Sequence, residues 1–229
     1  ARAQSSKTAG SAASRSGRGN EKGIAVFYER SAPRPFWPGI THPASFPAPM
    51  HPTPTYPIGT PGQAWGAAER DQWRARQVRQ RSYADDVLTA IEALRGRFGV
   101  ELYGDVIYAD AQHPAERFPL RALRSRQWQP GLPSVLVTGG VHGYETSGVH
   151  GALRFADTQA ERFAGRANLL VVPCVSPWSY ERVQRWNFDA IDPNRSFKEG
   201  SPAQESAALM RLVAQHQAQY GPFAAHIDL

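Results

Sequence analysis

The chain has 229 residues, 41% of them hydrophobic and 20% charged, enough for one globular domain with a sizeable core plus a tail. That composition excludes collagen, a coiled coil and a wholly disordered chain, and no apolar run approaches the ~20 residues that span a bilayer. A single cysteine, Cys174, excludes an internal disulfide framework and a cysteine-rich structural zinc site.

The formal net charge is +6, and its distribution is uneven. Residues 1–49 hold seven Lys/Arg against two Asp/Glu, whereas residues 50–229 hold 19 against 18. The basic excess belongs to the amino-terminal tail. The remainder lacks the broad positive face that phosphates need. The first 20 residues contain no aromatic side chain, so the tail reads as nonspecific charge. No nucleic-acid or membrane partner is expected. The lack of a disulfide framework and of a clear signal sequence points to the cytoplasm.

Residues 1–20 are rich in Ala, Ser, Gly and Arg without an apolar period, which predicts disorder. The run Gly23–Tyr28 allows a short strand. Ser31–Gln63 holds ten of the 19 prolines, a composition suited to an extended arm. Met50 is the first methionine and a candidate natural start. The expected division is therefore a disordered, proline-rich extension over 1–66 and a folded domain over 67–229.

Within that domain Ala67–Arg81 favours helix. Ser82 suits a helix cap, with Asp85 and Asp86 in the first turn. Val87, Ile91, Leu94 and Phe98 recur at spacings of 4, 3 and 4, one buried helix face. Asp105–Tyr108 and Arg117–Arg124 read as strands, the second at a sheet edge because of Pro119. Ser134–Thr138 (SVLVT) and Asn168–Pro173 (NLLVVP) read as buried strands. Thr146–Ala156 reads as a helix. Ser201, Pro202 and Gln204 together signal a helix start, with the helix reaching about Gln217. Phe223–Leu229 reads as a last strand. Strands alternating with helices, with continuous apolar runs, predict an α/β fold with a mostly parallel sheet.

The segment Gly139-Gly140-Val141-His142-Gly143-Tyr144-Glu145-Thr146 follows one buried strand and precedes a helix. Ligands of open α/β sheets gather beyond the carboxyl ends of strands. His142 and Glu145, three residues apart, are able to face one metal ion there, or to form an ordinary polar turn. His42 and His51 lie in the proline arm, His113 in a turn, and His150 and His216 on helices, so these read as solvated or structural.

A second cluster, Tyr180–Phe197, follows the strand Asn168–Pro173. In it Asp192, Asn194 and Arg195 flank Pro193. An Asp there suits the second N–H of a metal-bound imidazole. Arg195 offers a planar fork for a carboxylate, and Arg182 and Arg185 bring charge able to polarise a carbonyl. The alternative is a charged surface loop.

Taken together, strand–GGVHGYE–helix–strand–Pro–Arg-Trp–Asp-x-Asn-Arg-Ser-Phe resembles the zinc carboxypeptidase family, whose superfamily also holds the aspartoacylase and succinylglutamate desuccinylase deacylases. The resemblance covers roughly Ser134–Leu229, and more loosely the chain from Ser82, and it implies an α/β fold of three layers, helix-sheet-helix, around a mostly parallel mixed sheet. It implies a zinc cofactor held by His142 and Glu145, with Asp192 supporting His142. It also implies that Asn194 and Arg195 bind the substrate's free carboxylate and that Arg185, or failing it Arg182, stabilises the oxyanion. The implied reaction is hydrolysis of an amide bond next to a free carboxylate in a peptide or, alternatively, in an N-acyl amino acid. A non-catalytic carboxylate-binding remnant is a third reading. In the family the third zinc ligand is a histidine following a strand that reads Ile-Asp-Leu. Here Ile227-Asp228-Leu229 closes the sequence, so the resemblance places that ligand and the general base beyond Leu229. His226 lies about 13 Å short of that point along a strand and is a poor substitute.

Overall fold

The structure, a computed structural model, describes residues 57–111 and 114–229. The expectations for the tail up to 56 and for His113 fall outside them. The described residues belong to one compact unit, Pro54–Leu229.

Among the described residues, five strands form a single sheet in the order β1-β2-β4-β3-β5. They are β1 (Phe98–Tyr108), β2 (Glu116–Ser125), β3 (Ser134–Thr138), β4 (Asn168–Val172) and β5 (Ala225–Asp228). β3 is parallel to both β4 and β5, while β2 is antiparallel to β1 and to β4. Four of the five strands therefore point the same way, and the sheet is the expected mixed, mostly parallel one. Pro119 sits opposite Asp105 of β1, whereas β2 meets β4 only at Leu123 and Arg124. β2 is thus an interior strand and not the expected edge one, and the missing N–H of Pro119 falls in the stretch that pairs with β1 but not with β4.

Adjacent residues of the central strands enter opposite cores. Leu169 and Val171 of β4 join Val137 in one cluster, and Leu170 and Val172 join Leu136 in the other. Helices close both faces. α1 (Ala67–Arg74), α2 (Thr89–Ala93), α3 (Thr146–Thr158) and α4 (Pro177–Arg182) supply Trp73, Ile91, Val149 and Trp178 to the first cluster. α5 (Gln204–Tyr220) supplies Leu209 and Leu212 to the second. This is the helix-sheet-helix arrangement. Each fully buried Val or Leu contributes about 1.5–3 kcal/mol by leaving water.

The element ends differ from expectation in specific ways. α1 stops at Arg74, because Gln80 and Arg81 instead hydrogen-bond through their backbone N–H groups to the Glu181 carbonyl. Ser82 does cap: its Oγ accepts from the Asp85 N–H at 3.1 Å. A π-helical turn, Ala84–Leu88, then leads into α2. Phe98 is buried as expected but belongs to β1. Ser201 does not cap α5. Its Oγ is tied to Ala203, and Ala203 is the residue before the helix, without a side-chain cap. Before α1, Ile58 is buried and Trp65 packs on the same core. Among the described residues, no helix is long and apolar enough to cross a membrane.

Candidate functional site

The loops after β3 and β4 lock together at the carboxyl ends of these strands. The Gly139 N–H donates to the Val172 carbonyl, Val175 N–H to Gly139, and Ser176 N–H to Gly140, at 3.0, 3.1 and 3.1 Å. Gly140 has φ +61, the left-handed region that glycine adopts without strain. At Gly143 a Cβ would overlap the Ser179 backbone, so the approach of the two loops needs a residue without a side chain.

This clamp presents His142, which is 4% exposed. Its Nδ1 lies 2.7 Å from Glu145 Oε1, and its Nε2 lies 3.0 Å from Asp192 Oδ1. The His142 N–H also donates to Glu145 Oε2 at 3.0 Å. In the tautomer with the ring proton on Nε2, facing Asp192, the Nδ1 lone pair and the Glu145 carboxylate are two acceptors side by side, a pair that a shared cation would satisfy. An imidazole nitrogen and a carboxylate oxygen side by side are a zinc-type donor pair, and the carboxylate behind the ring is what orients such a ligand. The residues fit a zinc ion to this extent. Among the described residues, no group of three or more His, Cys, Asp or Glu is placed to hold a metal. His226 Nε2 is 2.9 Å from Thr138 Oγ1 instead.

Asp192 also gathers the arginines. Arg185 Nε and Nη2 reach its Oδ2 at 3.0 and 2.9 Å. Arg195 approaches the same oxygen only to 3.7 Å and is 81% exposed, leaving its guanidinium open to a ligand. Burial raises the Asp192 carboxyl, but hydrogen bonds and charge from His142 and Arg185 outweigh it and hold it below the usual carboxylate range. Asp192 Oδ1 also accepts from the Asn194 N–H at 3.0 Å, which opens a 3-10 turn over Pro193–Ser196. Asn194 lines a cavity of about 430 Å³ together with Thr138, Phe197 and Met210.

Of the residues singled out in the sequence, His142, Glu145, Arg185 and Asp192 meet directly, and Asn194 and Arg195 flank them. Arg182 does not join. Both Glu116 oxygens accept from its Nη2 at 2.6 and 2.8 Å, and its guanidinium covers Trp178.

Two contributors carried no assigned role in the sequence. Tyr144 accepts a hydrogen bond from Arg185 Nη1 at 2.9 Å, and its ring lies parallel to His142 at 5.6 Å. Arg81 donates to Tyr180 O, Thr146 Oγ1 and Gly143 O at 2.7, 2.7 and 3.1 Å, bracing the loop from behind. Tyr144 stood inside the motif, where an exposed aromatic beside a ligand candidate was a usable signal. Arg81 stood in a charged run with nothing to mark it.

No family model matches the chain, and no curated protein matches it. Solved structures similar to it include two Shewanella proteins assigned as metallopeptidases. The one from Shewanella amazonensis SB2B has 27% identity and a TM-score of 0.46, covering 64% of this chain and 57% of that one. The one from Shewanella denitrificans OS217 has 25% identity and a TM-score of 0.47, covering 59% and 47%. A Mesorhizobium loti aspartoacylase family protein has 22% identity and a TM-score of 0.41, covering 58% and 40%. The chain thus spans about half the length of the solved structures it matches.

Proposed function

We propose that this chain carries part of the site of a zinc-dependent hydrolase that cleaves an amide bond beside a free carboxylate. One observation supports it most: a buried histidine faces a carboxylate with each ring nitrogen, at the carboxyl ends of two parallel strands. His142 and Glu145 hold the metal. A zinc ion supplies Lewis acidity to a carbonyl and activates water. Asp192 fixes the His142 ring, Arg185 faces the oxygen on which negative charge develops, and Asn194 with the open Arg195 fork binds the free carboxylate. Peptide carboxypeptidase is the leading form of this reading and N-acyl amino acid deacylase the other, since both present a carboxylate to the same pair.

Calorimetric titration with zinc tests the proposal. With two protein ligands the chain should bind zinc weakly, and His142→Ala and Glu145→Ala should each abolish that binding. Equal binding by all three overturns it. An N-acetyl amino acid should bind better than its amide, and Arg195→Ala should remove that preference. Carboxylate binding indifferent to zinc and to His142→Ala would favour a binding protein without hydrolysis. Turnover of peptides against N-acyl amino acids separates the two hydrolases.

A further inference from the structure

Two fully buried polar side chains play no part in the site as described. Glu205 is 1% exposed and Asn187 0%. Burying a carboxyl or an amide is costly unless its hydrogen bonds are met, and here they are met mutually. The Tyr108 hydroxyl donates to Glu205 Oε2 at 2.7 Å, and Asn187 Nδ2 donates to the same oxygen at 3.4 Å. Burial raises the Glu205 carboxyl above the usual range, and these hydrogen bonds offset that only in part.

The other end of the Asn187 amide holds the turn that precedes Asp192. Its Oδ1 accepts from the N–H groups of Asp189 and Ile191, both at 3.1 Å, and its own N–H donates to the Ile191 carbonyl at 2.9 Å. This closes the segment directly before Asp192. Ala190, inside it, has φ +56, a conformation a non-glycine residue keeps only when its surroundings impose it. The Tyr108 ring stacks on Phe188 of the same segment at 5.1 Å. On the far side of Asp192, Ser206 Oγ donates to the Pro193 carbonyl at 2.7 Å. Consecutive residues of the first turn of α5 therefore hold the chain on both sides of Asp192. An apolar side chain could fill the Glu205 volume, but it would leave the Asn187 Nδ2 donor unmet.

We infer that Glu205 is a positioning residue that acts through Asn187 to set where Asp192 accepts the hydrogen bond of His142 Nε2. The inference rests on the reading of His142 as a metal ligand oriented by Asp192, and it adds α5 and β1 to the parts that build that ligand.

The test compares Glu205→Met, Glu205→Gln and Asp192→Asn with the wild-type chain. Two readouts serve: zinc affinity, and the nitrogen shifts of the His142 ring by long-range proton–nitrogen correlation without metal. Glu205→Met should move the His142 nitrogen shifts in the direction Asp192→Asn does and weaken zinc binding about tenfold, as loss of an orienting partner does. Glu205→Gln, which keeps an acceptor for Tyr108 and Asn187, should restore both. If Glu205→Met does not fold, Tyr108→Phe removes only the hydroxyl from the Glu205 carboxyl and should shift the same resonances. Wild-type shifts and affinity in a folded Glu205→Met, or in Tyr108→Phe where that variant decides, overturn the inference while Asp192→Asn still weakens binding. If His142→Ala and Asp192→Asn also bind zinc like wild type, the hydrolase reading itself fails.

Discussion

Asp192 Oδ1 stands 3.0 Å from His142 Nε2, although 50 residues separate them in the chain. The contact joins the loop after β3 to the segment that follows α4. It is made by an aspartate that is itself held by Arg185 and by the Asn194 N–H. A side chain restrained from three directions has little freedom to adapt, so its carboxylate dictates the imidazole's orientation. Asp192→Asn keeps the shape but offers an amide in place of a carboxylate. It should weaken zinc binding about 10–100-fold and lower the unfolding midpoint modestly, because the charge-assisted bonds from His142 and Arg185 are lost, measured by zinc titration and urea denaturation. Unchanged affinity would remove Asp192 from the metal-orienting role.

The close approach of the two loops depends on Gly143. An added Cβ would meet the Ser179 and Tyr180 backbone atoms, not a flexible side-chain end. Relief requires moving the α4 backbone, whose Ser179 carbonyl also accepts from the Gln184 N–H at 2.9 Å. Gly143→Ala should therefore destabilise the fold by about 1–3 kcal/mol, the usual range for overpacking, and should weaken zinc binding as well. Denaturation and titration of the same sample measure both. Loss of stability with intact zinc affinity would show that the loop shifts without carrying His142 along.

Val183 ends α4 at φ 56 and ψ 46. A β-branched residue in that left-handed conformation is strained by roughly 1–2 kcal/mol, and glycine removes the strain at an entropic cost. Val183→Gly should thus raise stability by about 0.5–1 kcal/mol. Urea unfolding measures this, and a fall would mean that the partly buried isopropyl group packs better than its backbone suggests.

Much of this architecture was legible because its signals are local. SVLVT and NLLVVP are continuous apolar runs, and only strands covered on both faces bury them that way. The His142–Glu145 turn sits just past the first run, so its placement at a strand end followed from that strand, whereas α4 separates the Asp192–Arg195 turn from the second run and the contact with His142 brings it to the site. What was not legible depends on contacts between distant segments. Composition alone does not separate Arg182 from Arg185, which the resemblance ranks first, and the contact that withdraws Arg182 comes from Glu116 on β2. Ser201 has the composition of a cap but forms a local turn with Ala203. Glu205 looks like an ordinary acidic residue of a first helical turn. Yet Glu205, Ala208, Leu209, Leu212 and His216 are all buried, and that helical spacing placed the acid on the apolar stripe. A charged residue on such a stripe was the available sign of a buried polar network.

That buried acid makes stability depend on pH in a direction opposite to that of most carboxylates. Burial raises the Glu205 carboxyl in the folded chain, while in the unfolded chain it titrates near 4.3. Between those two values the folded state keeps the proton and the unfolded state has lost it. The unfolded state then binds fewer protons, so stability falls as pH rises. The contribution is complete below about 4.3 and is lost as pH climbs through the folded value. Glu205→Gln has no proton to lose and the same shape. Its stability relative to wild type should therefore increase steadily from about pH 4 upward, read from urea midpoints taken at successive pH values. A difference independent of pH would mean that Glu205 titrates alike in both states, and that the Tyr108 and Asn187 hydrogen bonds fully balance its burial.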